Sequence, residues 1–241
     1  MLTPTVNPSH NSRIFNTFQK SFRDNVHQLM NWGYTKAHPK IIQTKIYEDE
    51  EPDITSYIVE AIQDIIDFTT GVPWISQYSA QDNARSITPN ASGKGKSMPD
   101  ITIEFCTTGP HPKYFFEAKR LRVPGFTVNM YTQKGGMDCF TSSQYAADCP
   151  EAAMLGYIQS HSISYWEKKL KIDIANKASI LSLTSHQRNY SGYSSFPNEW
   201  ISEHSRSSGR SIDVYHILLD CIPITKSIPR KRSPRKPSKK V

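Results

Sequence analysis

The sequence predicts an α/β fold of the α+β kind, with a central mixed β-sheet flanked by helices. Three observations carry that expectation. Before Gly71, apolar residues recur every three and four positions along two separate stretches. Two short apolar runs, 101–105 and 113–119, are joined by a segment rich in turn formers. Helical patterning then returns, and a strong apolar run, IDVYHILLDC at 212–221, follows it.

Residues 1–11 form a loose start. Ser12 is placed to cap a helix on which Ile14, Phe15, Phe18, Phe22, Val26 and Leu29 make one apolar stripe, a packing surface. The stretch KIYEDEEPDITSYIVEAIQDIIDFTTG predicts a second helix. Asp53, after Pro52, is its expected N-cap; Ile54, Ile58, Ala61, Ile62 and Ile65 share a face, and Gly71 ends the run. An acidic cluster, Glu48 to Glu51, sits at the entry. VPWISQYSA (72–80) predicts a short strand, followed by a polar loop ending in ASGKGKSM, whose spacing is not that of a phosphate-binding P-loop. ITIEF and KYFFEAK predict a hairpin or two adjacent strands, turned by Gly109, Pro110 and Pro112. Residues 120–141 are rich in turn formers. Helices are expected at 142–160, divided by Pro150, and at 162–178. ILSLT (180–184) is expected to be a buried strand, the Ser-rich stretch 185–211 a loop, and 212–221 a strand.

Hydrophobic residues make up 37% of the chain and charged residues 21%, which excludes a wholly disordered protein. The net charge of +7 is concentrated at one end. Residues 226–241 hold eight Lys and Arg and no acid; without them, 21 basic residues face 22 acidic ones. The expected organisation is one domain over 1–225 with a disordered basic tail at 226–241, a tail suited to salt-sensitive attraction to nucleic acid. Cys106, Cys139, Cys149 and Cys221 have no zinc or disulfide spacing. No apolar signal region and no membrane-length apolar run is present, so a soluble, cytoplasmic protein is expected.

The residues that carry chemistry are Asp100, just before the first apolar run, and Glu117 and Lys119, ending the second. Residues two apart on a strand share a face, so Glu117 and Lys119 point together while Phe116 and Ala118 point into the core. If the strands pair, Asp100 reaches the same spot. Two carboxylates and the Ala118 carbonyl are the hard oxygen ligands that Mg²⁺ prefers, with Mn²⁺ as a substitute. Lys119 is placed to orient a water and to stabilise negative charge. The plainer alternative is a surface hairpin in which Glu117 and Lys119 form a solvated ion pair.

The order Pro99-Asp100, then, with sixteen residues between, Glu117 and Lys119, resembles the PD-(D/E)XK nuclease superfamily, which includes many restriction and DNA-repair nucleases. The resemblance covers roughly residues 50–120. It implies a restriction-endonuclease-like core and a Mg²⁺-dependent DNA endonuclease, of the kind found in restriction or antiviral defence systems. It also implies in-line attack by a metal-activated water and, by family habit, a homodimer or a protein partner. Many members add an acid from a helix before the first motif strand. Glu51, in the string Glu51 to Thr55, is the first choice for that acid, Glu50 the second and Glu60 the third. Set against this are a non-catalytic nucleic-acid-binding protein and a subunit of a larger defence complex retaining the fold.

Lys94 and Lys96, on the loop before Asp100, are candidates for phosphate contact. Gln144 is a candidate for positioning water, though a polar helix-start role is the simpler one. His186 and Arg188 are loop residues that can meet a phosphate or a partner. His216, inside a strand, is expected to be a satisfied core histidine. Trp166 with Lys168, Lys169 and Lys171 is expected to be a solvated helix face that can also touch DNA.

Overall fold

The computed structural model describes residues 8–43, 50–82, 98–106, 111–133, 135–144, 146–190, 196–206 and 208–224. Lys94, Lys96 and the 226–241 tail lie outside the described residues, as does most of the acidic cluster before Glu50. The fold is α+β: a seven-stranded mixed sheet with helices on both faces.

The chain opens with α1 (Pro8–Gln43) and α2 (Glu51–Phe68), which pack together on one face of the sheet. The strands are β1 (Tyr78–Asp82), β2 (Ile101–Phe105), β3 (Lys113–Leu121), β4 (Glu151–Ile158), β5 (Arg188–Asn189), β6 (Trp200–Ser205) and β7 (Ser211–Asp220). Their order across the sheet is β1-β2-β3-β4-β7-β6-β5. The pairs β3–β4 and β4–β7 are parallel and the rest antiparallel. The crossover from β3 to β4 carries two short helices, α3 (Val128–Thr132) and α4 (Asp138–Thr141). The crossover toward β7 carries α5 (Ile163–Asn176), and these helices lie on the face opposite α1 and α2.

Alternation along β3 follows from this layering. Tyr114, Phe116 and Ala118 enter the core under α1 and α2, while Leu121 enters the core under α3 and α5. The two predicted runs do form an antiparallel pair, with Ile101 opposite Phe116.

Several expectations are corrected. α1 starts at Pro8, not Ser12, since Pro suits a helix's first turn. Glu50, not Asp53, is the N-cap of α2; Asp53 stands three residues on, and its carboxylate accepts the Glu50 N–H at 3.0 Å. Residues 75–77 form a 3₁₀ turn before β1. The region expected to be helical at 142–160 contains β4, a central strand. EAAMLGYI lies between two parallel neighbours and is buried on both faces, so its apolar run does not alternate, and Ala, Met and Leu make it look helical. ILSLT forms turns with a single bridge from Leu183 to His204, and β6 sits inside the expected Ser-rich loop.

α1 is held by polar contacts as well as by its apolar stripe. The Arg23 guanidinium donates to Glu151 (2.8 Å) and to the Tyr215 hydroxyl (3.0 Å), and Asp24 accepts from Tyr190 (2.9 Å). His27 is 1% exposed; its Nε2 meets the Tyr114 hydroxyl at 2.9 Å and its Nδ1 lies 2.8 Å from the fully buried Glu199. Removing one member of a buried pair strands the other. Glu199→Ala is therefore expected to cost about 3 kcal/mol in urea unfolding; a loss below about 1 kcal/mol would show that this pair does not hold α1.

Candidate active site

The site lies on the edge of β3 where β2 stops. Along β3 the odd-numbered residues bond to β4, as when Leu121 C=O accepts from Gln159 N. The even-numbered ones face the other edge. β2 covers that edge only as far as Phe116. At Arg122 the edge is covered again, by Phe126: each backbone N–H donates to the other's carbonyl, at 3.0 and 2.9 Å. Between these points, Ala118 and Arg120 present N–H and C=O groups with no strand beside them among the described residues.

Carboxylates fill the gap. Asp100 Oδ2 accepts from Ala118 N at 2.7 Å, and Glu51 Oε2 accepts from Arg120 N at 3.0 Å. Pairing at 101–104 sets Asp100 one residue before β2, so its side chain continues where the ladder ends. Glu51 is the first residue of α2, whose opening turn is pinned by buried Ile54 and by the Thr55 hydroxyl, 3.0 Å from that of Tyr157. The helix N-terminus also favours negative charge there.

Lys119 reaches into the same gap. Its Nζ donates to Glu117 Oε1 at 2.7 Å, to Ala118 O at 2.6 Å and to Glu51 Oε1 at 3.0 Å, and lies 3.9 Å from Asp100 Oδ2. Asp100, Glu117, Glu51, Ala118 and Lys119 thus converge on one point, and that point is held by an ammonium group. Glu50 caps the helix and is exposed, and Glu60 lies 3.5 Å from Lys40 on the outer surface, so neither shares the site. Among the described residues, no three His, Cys, Asp or Glu side chains are gathered as a ready metal centre.

Three carboxyl groups crowd one ammonium in a half-buried place. Burial, then the Asp100 carboxylate, pushes Glu117 up to about 8, against the pull of Lys119. Burial likewise raises Asp100, opposed by Lys119 and by the Ala118 N–H. Burial alone would lower Lys119, but the carboxylates of Glu117, Glu51 and Asp100 outweigh it and raise it. Glu117 Oε2 is buried without a hydrogen-bond partner. An orphan carboxyl oxygen among crowded acids is what a hard divalent cation would satisfy.

The weaker candidates lie elsewhere. Gln144 is exposed on the connection into β4. His186 is exposed, and Arg188 pairs with Asp213 at 2.8 Å. His216 is a core histidine, 3.0 Å from the Tyr131 hydroxyl and 2.7 Å from that of Ser202; burial, then His204 and Lys171, lowers its pKa. Trp166 is buried, while Lys168 and Lys169 are exposed and Lys171 pairs with Glu167 at 2.8 Å. Arg120, Arg122 and Phe126, beside the gap, were not singled out by the sequence; their signal is the cluster of Lys119, Arg120 and Arg122 at the end of a strand.

No protein family, curated protein or solved structure matches the chain. None of the described helices is long and apolar enough to cross a membrane.

The raised Glu117 has a consequence for the metal-free protein. Between the ordinary carboxylate value of 4.5 and about 8, the folded state keeps a proton that the unfolded chain has released. This contribution to stability is complete below about pH 4.5 and is lost as pH rises to about 8. Glu117→Gln lacks that loss, so its melting temperature in EDTA should gain several degrees on the parent between pH 5 and pH 9. Parallel pH profiles for the two proteins would refute the buried-carboxylate assignment.

Proposed function

We propose that the chain is a metal-dependent deoxyribonuclease of the PD-(D/E)XK type with a restriction-endonuclease-like core. The observation that supports this best is the convergence of Asp100, Glu117, Glu51 and the Ala118 carbonyl on the Lys119 ammonium, at the edge of β3 between Phe116 and Arg122.

In this reading Mg²⁺ is held by Asp100, Glu117 and the Ala118 carbonyl, with Glu51 assisting. The cation, when bound, neutralises phosphate charge and lowers the pKa of a water. Every other contribution is the chain's own. Glu117 would give up its proton as it became a ligand, since a cation beside it favours the carboxylate. Lys119, whose ammonium lies among these groups, would hold the attacking water and meet charge developing on the phosphate. Ala118 N–H and Arg120 N–H fix Asp100 and Glu51 in place, so two backbone groups orient two ligands before any substrate arrives. A site on a sheet edge, rather than in a closed cavity, suits a long polymer.

The test is plasmid cleavage with Mg²⁺ or Mn²⁺. Nicking or linearisation that EDTA stops, and that Lys119→Ala lowers by about 100-fold or more while remaining folded, is the expected result. Discrete fragments indicate a sequence-specific enzyme and a smear a nonspecific one. Absence of cleavage of plasmid, single-stranded and branched DNA with either metal would overturn the nuclease reading in favour of a binding protein. The site itself has a separate readout. Lys119→Met removes the competing ammonium and should tighten Tb³⁺ binding by about tenfold, seen in sensitised luminescence, whereas Glu117→Gln should weaken it. Unchanged Tb³⁺ affinity in both variants would count against this cation site.

A further inference from the structure

Past the carboxylate gap, β3 runs into a small closed hairpin. Arg122 and Phe126 exchange two backbone hydrogen bonds across a Val123-Pro124-Gly125 turn. Gly125 sits at φ +113°, a conformation that side-chain-bearing residues rarely adopt. Val123 N donates to the Ser160 hydroxyl at 2.9 Å, which ties the turn to the end of β4.

Arg120 and Arg122 share one face of this hairpin, with the Phe126 ring between them. The Arg120 guanidinium carbon lies 3.9 Å from the ring centroid and that of Arg122 lies 5.1 Å from it. Both arginines and Phe126 are partly exposed. A guanidinium stacked on a ring keeps its N–H donors in the plane, where a phosphate can accept two of them. The ring also limits the rotamer freedom that binding would otherwise cost. Arg120 follows Lys119 on the strand, so its side chain leaves by the opposite face, while its own N–H is held by Glu51, which fixes the pair at the edge of the gap.

Resting on the nuclease reading above, we propose that Arg120 and Arg122, braced by Phe126, grip the backbone of the cut DNA strand at phosphates next to the scissile one. They supply position and not sequence recognition, since phosphate contacts carry no base information. The tail at 226–241 adds diffuse attraction; the hairpin adds a located contact.

The experiment measures affinity of the full chain for a fluorescent DNA duplex, with Ca²⁺ in place of Mg²⁺, between 50 and 200 mM salt (roughly the range over which phosphate contacts are read). Arg120→Ala and Arg122→Ala should each weaken binding about 3- to 10-fold and lower the salt slope by about one. Melting temperature and Tb³⁺ affinity should stay at the parent's values. Arg120→Lys and Arg122→Lys should keep the slope and lose part of the affinity, because charge survives but the planar fork does not. Parental affinity and slope in both alanine variants would overturn the grip and leave the arginines as packing on Phe126. A loss matched by a lower melting temperature, and restored by neither lysine variant, would overturn it too. If the parent cuts DNA and the arginine variants bind as it does, only this proposal fails. A parent that binds without cutting, and loses affinity in the arginine variants, ends the nuclease reading and keeps the grip. If the parent neither binds nor cuts, both fail.

Discussion

β3 is longer than the strand that covers its outer edge, and the site follows from that mismatch. Backbone N–H and C=O groups at a sheet edge need partners. Here β2 ends opposite Phe116 and the next bridge is at Arg122, so two residues are left over. Asp100 and Glu51 supply carboxylate oxygens to the two N–H groups, at 2.7 and 3.0 Å. The same gap leaves the Ala118 carbonyl to the Lys119 ammonium, at 2.6 Å. A third acid, Glu117, comes with Lys119 from the strand itself. Strand length thus determines which residues gather here.

Charge crowding follows from that arrangement and is only partly relieved. Lys119 compensates one of three carboxylates. Burial above all, with Asp100 acting on Glu117 and Glu51 acting on Asp100, holds the two toward their protonated forms. A fold gains nothing in stability from such a cluster, since an apolar group at Glu117 would avoid the desolvation. Clusters that work against stability occur at sites where chemistry needs them. The buried His27–Glu199 pair differs in kind. It lies under α1 against Tyr114, joins a helix to the sheet and closes its ring nitrogens against the protein.

The hairpin β2–β3 and the helix bearing Glu51 were legible in the sequence because their signals are local. Period-two alternation in YFFEAK separates Glu117 and Lys119 from Phe116 and Ala118, and a turn of Gly and Pro precedes it. Of the three acids weighed on that helix, Glu51 lies against Lys119, Glu50 is the helix N-cap and Glu60 lies beside Lys40. β4 was illegible for the opposite reason. A strand with parallel neighbours on both sides is apolar on both faces, so EAAMLGYI shows no alternation, and its composition favours a helix in isolation. β6 was hidden because WISEHS buries polar side chains: Ser202 and His204 are satisfied by His216 and by the Leu181 carbonyl, contacts made across the sheet that no local pattern announces.

What the sequence could not convey about the site is the role of the backbone. Asp100, Glu117 and Lys119 are visible as letters, but the reason they meet is that Ala118 and Arg120 have lost a strand neighbour, which is a property of register. Register also explains why the arginines beyond the motif escaped notice. In the sequence, Arg120 and Arg122 continue a basic run out of a strand, a pattern whose ordinary outcome is solvation. Only the bridge that brings Phe126 back onto Arg122 turns them into a braced pair beside the carboxylates. The element that ends the gap on one side therefore also carries the positive charge, so the strand edge presents acids for a cation and guanidinium groups for an anion within a few residues of each other. A phosphodiester with a bound metal ion needs both.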